Sequence, residues 1–585
     1  MINESTGLPR KTMLLVALAQ GLALLFLYRS VENGTWPSES PMWAFPLWTI
    51  AVTVPILFLL SLENATRRRT SLLIAAFGAV LAVLAIYTGW QAEPQGEFPI
   101  HALIFVFAAS TGLASFKALM YLQQRATQRP MSYEGLFSYS WRNALTFALS
   151  ALFVVVFWLI LMLWAELFRA IEVDFFHELF REDWFHVPVL AVSLGVAIGI
   201  FRNLIQVIDS ITRLLAGLIR LLLPLVIVVA VLFLLTLPIV GLDALWSTGH
   251  GTALLLWLLA VLLFFTNAVY QDGRGEKPYS LFLHRCIYAG LVTLPLISLI
   301  SFYGLWLRLD EYGWTVARCW AFVVWLVLSL FAVGYVTGIV RRHDAWTEEL
   351  ARVNTGMGLV ILALMLLVNS PLLDFRKISI ASQLQRVESG EITLAEFDFW
   401  YAHNELARPG YLALEAMKVQ LGDSDAELLE KITNPAPIAA GITAMSADEM
   451  WKNMSYRPAG FEVPEGVRQK IAMESYTLYH AAQPVMIRTD LDADGEYEYA
   501  LIQIQDGYIY HAGIYYQENR NWSSVRLAHR IGPPTGSELV DAIRNGEITL
   551  RKPRFSTLVV GDVSFQVIEG DAPPQPLPVS PDGVN

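Results

Sequence analysis

Charge is scarce in this chain. Only 16% of the 585 residues are Asp, Glu, Lys or Arg, against about 25% in an ordinary soluble domain. Cysteine is scarcer still, with Cys286 and Cys319 alone, which excludes a disulfide framework and any cysteine-based metal spacing. No His–Glu pair has zinc spacing, and His480, His511 and His529 are scattered. No serine elbow, phosphate loop or convincing internal repeat is present. The basic residues form short clusters and no basic face, so nothing points to nucleic acid. No small-residue cleavage site follows the first apolar run; that run reads as a transmembrane helix.

What the chain has in abundance is long apolar sequence. Mean hydropathy is +0.47, but the average hides a break near Asp374. A membrane helix needs about 20 mostly apolar residues. Eleven runs qualify: 12–28, 43–62, 71–90, 100–121, 143–166, 187–205, 221–241, 251–270, 284–306, 315–340 and 356–373. Cytoplasmic loops carry the excess of Lys and Arg. With the N-terminus inside, the inner loops hold Arg10 and Lys11, Arg67 to Arg69, Lys117 to Arg142, Arg202 to Arg220, Arg274 to Arg285, and Arg341 to Arg352. The outer loops hold only Arg29, Arg169, Arg181, Arg308 and Arg318. An odd count then places the C-terminal region on the outer side. It also places Cys286 and Cys319 at opposite faces, too far apart to pair.

Within the runs, ionisable residues near mid-bilayer are almost missing, and such groups mark ion routes. Glu166, His101, Lys117 and Arg318 read as near helix ends, and Asn267 and Asn369 are the main deep amides. This argues against a proton-coupled pump. Pro224, Pro238 and Pro295 either kink helices around a cavity or are ordinary kinks. Residues 171–186 mix acids with aromatics and read as lying along the outer surface. Residues 203–220 read as an amphipathic interfacial helix or as an extension of the neighbouring spans.

The domains expected are therefore a membrane part over 1–375, a helical soluble segment over 376–460, a small α+β domain over 461–571 and a disordered Pro-rich tail over 572–585. Helical breaks are expected at Gly390, Pro409-Gly410 and Asn434-Pro435. Strands are expected over 485–489, 497–505, 508–515, 522–528, 555–560 and 563–568, with one helix near 536–544. The fold class is an α-helical polytopic membrane protein followed by a soluble α, then α+β, region.

Two motifs stand out. The elbow Arg308, Asp310, Glu311, Tyr312, Gly313 and Arg318 is the densest polar cluster before residue 370. Its arginines suit an anionic headgroup, or pair with Asp310 and Glu311 to fix a turn. The second motif is Asp490, Asp492, Asp494, Gly495 and Glu498. Alternating carboxylates before a glycine let a chain wrap a hard cation. Leu501 stands at the twelfth position, so this is not the helical calcium loop. Glu498 at the ninth is similar to calcium loops on β-hairpins. The readings are a calcium site or an acidic turn without an ion.

The elbow Arg308…Tyr312-Gly313-Trp314-Thr315…Arg318 resembles the signature of the bacterial domain of unknown function 4153 family, with Trp314 where a small aliphatic residue is expected. Leu163-Trp164, Leu223-Pro224, Leu237-Pro238, Thr248-Gly249 and Asn267…Gly273 agree with that pattern, as do Ile378-Ser379, Gln383-Leu384 and Phe397-Asp398. The resemblance spans about residues 135–420. It implies a fold and a location in the bacterial cytoplasmic membrane, and names no reaction.

The functional expectation is a non-enzymatic membrane protein of envelope maintenance, sensing or assembly, with the lipid bilayer as its one clear partner. The alternatives are a transporter or lipid-handling protein, and an enzyme acting on lipid-linked substrates through Glu166, Asp174 and His177.

Overall fold

The computed structural model describes residues 10–63, 66–127, 130–246, 248–270, 278–422, 425–433, 435, 451, 454–458, 460–473, 483–491, 495–505, 508–518, 521–526, 558–560 and 563–565. Chain contacts divide it into two units, Met1–Pro435 and Ala436–Asn585. Composition changes near Asp374, whereas contacts change only after Pro435. The helices that follow the last apolar run therefore belong to the first unit.

That unit is helical throughout. Eleven of its helices are long and apolar enough to cross a membrane, one for each run in the sequence. They begin with α1 (Arg10–Glu32), α2 (Pro41–Ser61), α3 (Arg67–Gln91), α4 (His101–Ala126) and α5 (Tyr133–Arg169). A short α6 (Phe175–Arg181) turns the chain into α7 (Asp183–Asn203). The long α8 (Ile205–Val240) follows, then one turn of α9 (Asp243–Trp246) and α10 (Gly251–Tyr270). The ninth span is broken into α11 (Leu281–Leu291) and α12 (Leu294–Tyr312). Pro295 sits in the first turn of α12, where its missing N–H breaks no helical bond. The last spans are α13 (Val316–Arg342) and α14 (Thr347–Leu367). The eleventh helix thus starts nine residues earlier than the apolar run at 356–373.

Two sub-bundles share the apolar interior. In one, α1, α2, α3 and α7 meet around Met13, Leu59, Leu62, Ile74 and Ile198. In the other, α8, α10, α11, α12 and α13 meet around Leu223, Leu259, Leu291, Ile297 and Tyr335. Helix α4 joins them by packing on both α3 and α14. The amphipathic 205–220 stretch is continuous with its span inside α8, so the extension reading holds. At 1.5 Å per residue its 36 residues reach about 54 Å, well beyond a hydrocarbon core of about 30 Å.

Beyond the last span lie α15 (Phe375–Glu388), α16 (Phe399–Glu405), α17 (Ala407–Leu421) and α18 (Ala426–Thr433). They close on a core of Ile380, Phe397, Phe399, Leu406, Leu414 and Ile432. Pro409-Gly410 falls within the first turns of α17 rather than between helices. Gly410 is required there because a Cβ would run into the Ala402 carbonyl of α16.

The second unit holds a five-stranded sheet in the order β1 (Ser455–Arg457), β2 (Gln483–Thr489), β3 (Glu498–Gln505), β4 (Tyr508–Glu518) and β5 (Asn521–Arg526). Strand β1 runs parallel to β2, and the other neighbours are antiparallel. Helix α19 (Glu465–Met473) buries Val467 and Ile471 against Met486, Leu501 and Tyr515 on one face. Alternation along β3 sends Tyr499 and Leu501 to that core and Ala500 to the other face, beside Val485 and Ile487. A separate antiparallel pair joins β6 (Leu558–Val560) to β7 (Val563–Phe565). The helix expected at 536–544 and the tail 572–585 lie outside the described residues.

Candidate functional site

The elbow sits between α12 and α13, and α15 caps it. Gly313 ends α12 at φ +68°, ψ −172°, a backbone region open essentially to glycine alone. Helix α15 presents Ser379, Ser382, Gln383 and Arg386, positions that share one helical face. The Trp314 amide donates to Ser382 Oγ at 3.0 Å, and Ser379 Oγ donates to the Trp314 carbonyl at 3.2 Å. Gln383 Nε2 donates to the carbonyls of Tyr312 and Trp314 at 3.0 and 3.1 Å. Arg386 Nη2 donates to the Glu311 carbonyl at 2.9 Å. From α16, Tyr401 Oη accepts the Val316 amide at 2.8 Å. Polar side chains of the capping helices thus satisfy the backbone of a turn that neither membrane helix can satisfy.

The elbow's own charges do something else. Arg318 donates to the Gly313 and Tyr312 carbonyls at 2.9 and 3.3 Å and lies over the Tyr312 ring. Arg308 reaches the Gly249 carbonyl before α10. Neither Asp310 nor Glu311 forms an ion pair among the described residues. The turn is therefore fixed by backbone capping rather than by Arg–carboxylate pairing. Trp314 packs edge-on to Phe322 at 5.6 Å and joins the Trp320–Phe375 cluster.

A second anchor, unmarked in the sequence, lies at the start of α15. Asp374 is only 2% exposed. Its Oδ1 accepts the Arg376 amide and Arg376 Nε, both at 3.0 Å. Its Oδ2 accepts Tyr87 Oη at 2.8 Å and Gln91 Nε2 at 2.7 Å from α3. One carboxylate therefore ties the first sub-bundle to the capping helices. Nearby, Arg408 stacks over the Trp90 ring at 4.6 Å and donates to the Glu93 carbonyl at 3.0 Å.

The membrane part also holds a half-open cavity of about 490 Å³ between α4, α5, α10, α13 and α14. It lies toward the end of the bundle opposite the elbow. Phe116, Phe137, Trp141, Phe264 and Phe331 supply aromatic walls, and Met120 and Leu136 fill between them. One wall is polar. Tyr335 Oη lies 2.6 Å from Oδ1 of both Asn267 and Asn354, and Asn354 Nδ2 donates to Tyr133 Oη at 2.8 Å and to Asn267 Oδ1. Tyr121 Oη donates to the Thr355 carbonyl at 2.8 Å. Lys117 lines the same space and has no hydrogen-bonding or ion-pairing partner among the described residues. It stands nine residues before the end of α4 and four before the end of the apolar run 100–121. These residues sit on five helices, and only Asn267, as a deep amide, and Lys117, as a basic residue near a helix end, were marked in the sequence.

Other candidate residues are placed as follows. His177 Nδ1 lies 3.3 Å from Glu166 Oε1, and Arg169 bridges toward Glu166 and Asp174 at 3.9 and 3.8 Å. Phe176 and Phe180 pack these turns against Trp164. Asn369 donates to Ser110 Oγ at 2.8 Å and to the Met365 carbonyl at 2.9 Å, which joins α14 to α4. Cys286 is exposed, Cys319 is buried, and both are free.

In the second unit, Asp490 Oδ2 accepts the Gly495 amide at 3.1 Å, and Glu498 accepts the Leu491 amide. Gly495 adopts φ +93°. The two outer carboxylates thus brace the β2–β3 connection. Asp492 and Asp494 lie outside the described residues.

No curated protein and no solved structure matches this chain. Residues 49–417 match the family model described as Domain of unknown function (DUF4153). That span runs from α2 through the elbow to α17 and takes in the cavity, Asp374 and the α15 face. A multi-pass helical membrane protein whose first unit is covered in this way belongs to the DUF4153 family.

Proposed function

We propose that the protein works without turnover in the bacterial inner membrane, as a scaffold or sensor of the envelope, with its N-terminus on the cytoplasmic side. The observation that carries this reading is the seating of α15 on the elbow. Four side chains of one helix face fix the turn between two spans, and a buried carboxylate ties the same helix to a third. The capping helices α15–α17 belong to the same compact unit as the membrane helices, which supports a platform. The sidedness rests on the concentration of Lys and Arg in alternate loops. On that reading the platform faces outward and the chain continues from it into the sheet unit.

A deletion strain challenged with detergent and chelator tests this role. Sensitivity is expected, with rescue by the wild-type chain. The double variant Ser382→Ala, Gln383→Ala should insert at normal levels and fail to rescue. Full rescue by that variant contradicts the platform role, and a substrate turned over by the purified protein contradicts a non-enzymatic one.

A second reading, lipid handling, draws support from one observation: the cavity beside Lys117 has the size of a ligand site, about 300–1,000 Å³.

A further inference from the structure

We propose that the cavity between α4, α5, α10, α13 and α14 binds an anionic lipid, with its acidic headgroup on Lys117 and its acyl chain along the aromatic walls. This deepens the lipid-handling reading.

Lys117 lines a space of about 490 Å³ and has no hydrogen-bonding or ion-pairing partner among the described residues. A charged side chain at membrane depth usually pairs within the protein or reaches water past the helix end. An anion brought in by a ligand supplies the missing partner.

The remaining walls set the ligand's other end. Phe137, Phe264 and Phe331 offer apolar surface with nothing for a small hydrophilic anion to bond. The hydroxyl of Ser140 also lines the space without a partner among the described residues and is placed to donate to a headgroup oxygen. The Asn267–Asn354–Tyr335 cluster is already bonded internally and serves as a fixed floor. One cation, one free hydroxyl and aromatic walls fit an amphiphile with a phosphate or carboxylate head better than a free ion or a neutral lipid.

Native mass spectrometry of the full chain in detergent, with phosphatidylglycerol and phosphatidylethanolamine added in equal amounts, tests this. Phosphatidylglycerol should be retained preferentially. Lys117→Met, apolar and of similar length, should lower its retention about tenfold, the effect of losing about 1.4 kcal/mol. Ala144→Phe, which narrows the cavity and leaves Lys117 intact, should lower it as well. Arg125→Gln at the end of α4 should change nothing. Equal retention of both lipids, or wild-type retention by Lys117→Met and Ala144→Phe, overturns the proposal. Displacement of the lipid by millimolar inorganic phosphate also overturns it, in favour of a soluble anion. The readout is binding, so failure of the envelope phenotype leaves it standing and its failure leaves the platform role standing.

Discussion

Gly313 shows how much one residue sets in this protein. Its φ of +68° strains any other residue, and an added Cβ would stand 2.8 Å from Arg386 Cδ and 3.0 Å from Ser382 Oγ. Gly313→Ala should destabilise the first unit by about 1–3 kcal/mol, read as a lower melting temperature in detergent. Asp374 matters in a different way. Its substitution by Ala leaves Arg376, Tyr87 and Gln91 facing an empty site, and breaking a buried pair by removing one partner costs about 3–5 kcal/mol. Asp374→Ala should therefore melt earlier than Gly313→Ala, and the two melting curves decide it. The sequence made Gly313 legible because a glycine between charged residues at the end of an apolar run marks a turn. Asp374 was legible only as a boundary, since its partners Tyr87 and Gln91 lie some 280 positions away. Lys117 was hidden in the same way. In sequence it is one basic residue near the end of an apolar run, and only the convergence of five helices makes it the sole cation among the cavity-lining residues.

At the scale of elements, α15 and α16 carry the platform, and α16 makes its stability depend on pH. Burial, helped by Lys418, holds the His403 imidazole below its ordinary range, while Glu97 opposes weakly. Neutral His403 is thus favoured in the folded state. Its contribution is present above the unfolded pKa and is lost as pH falls through the lower folded value. Burial raises the carboxyls of Glu405 and Asp398, so their effect has the opposite sign and weakens the fold as pH rises. Acidification from about pH 7.5 to 5.5 should remove the His403 contribution, so the melting temperature of His403→Gln should gain on that of the wild type as pH falls. A constant difference between the two removes His403 from the account. The spans and most strands were readable because apolar length and period-two alternation are local signals. The start of α14 was not, because Thr347 to Thr355 is polar on one face and is held in the helix by Trp346, buried to 0% exposure beside Tyr335 and Tyr270. The short β1 was missed because three residues paired to a distant strand carry no period of their own.

For the whole molecule, the governing fact is eleven membrane-length helices ahead of a capping layer and a separate sheet unit. The family match supports this architecture from α2 to α17 and leaves the role to the proposals above. Eleven crossings would place Lys11 and the α15–α17 helices on opposite faces. Single cysteines test this directly. With Cys286→Ser and Cys319→Ser as background, Ser389→Cys at the end of α15 and Lys11→Cys at the start of α1 are labelled in intact spheroplasts by a membrane-impermeant maleimide. The account predicts labelling at 389 before permeabilisation and at 11 only after it. Labelling of both positions from the same side would contradict the eleven-span architecture, and the reverse pattern would keep the architecture and overturn the outward-facing platform.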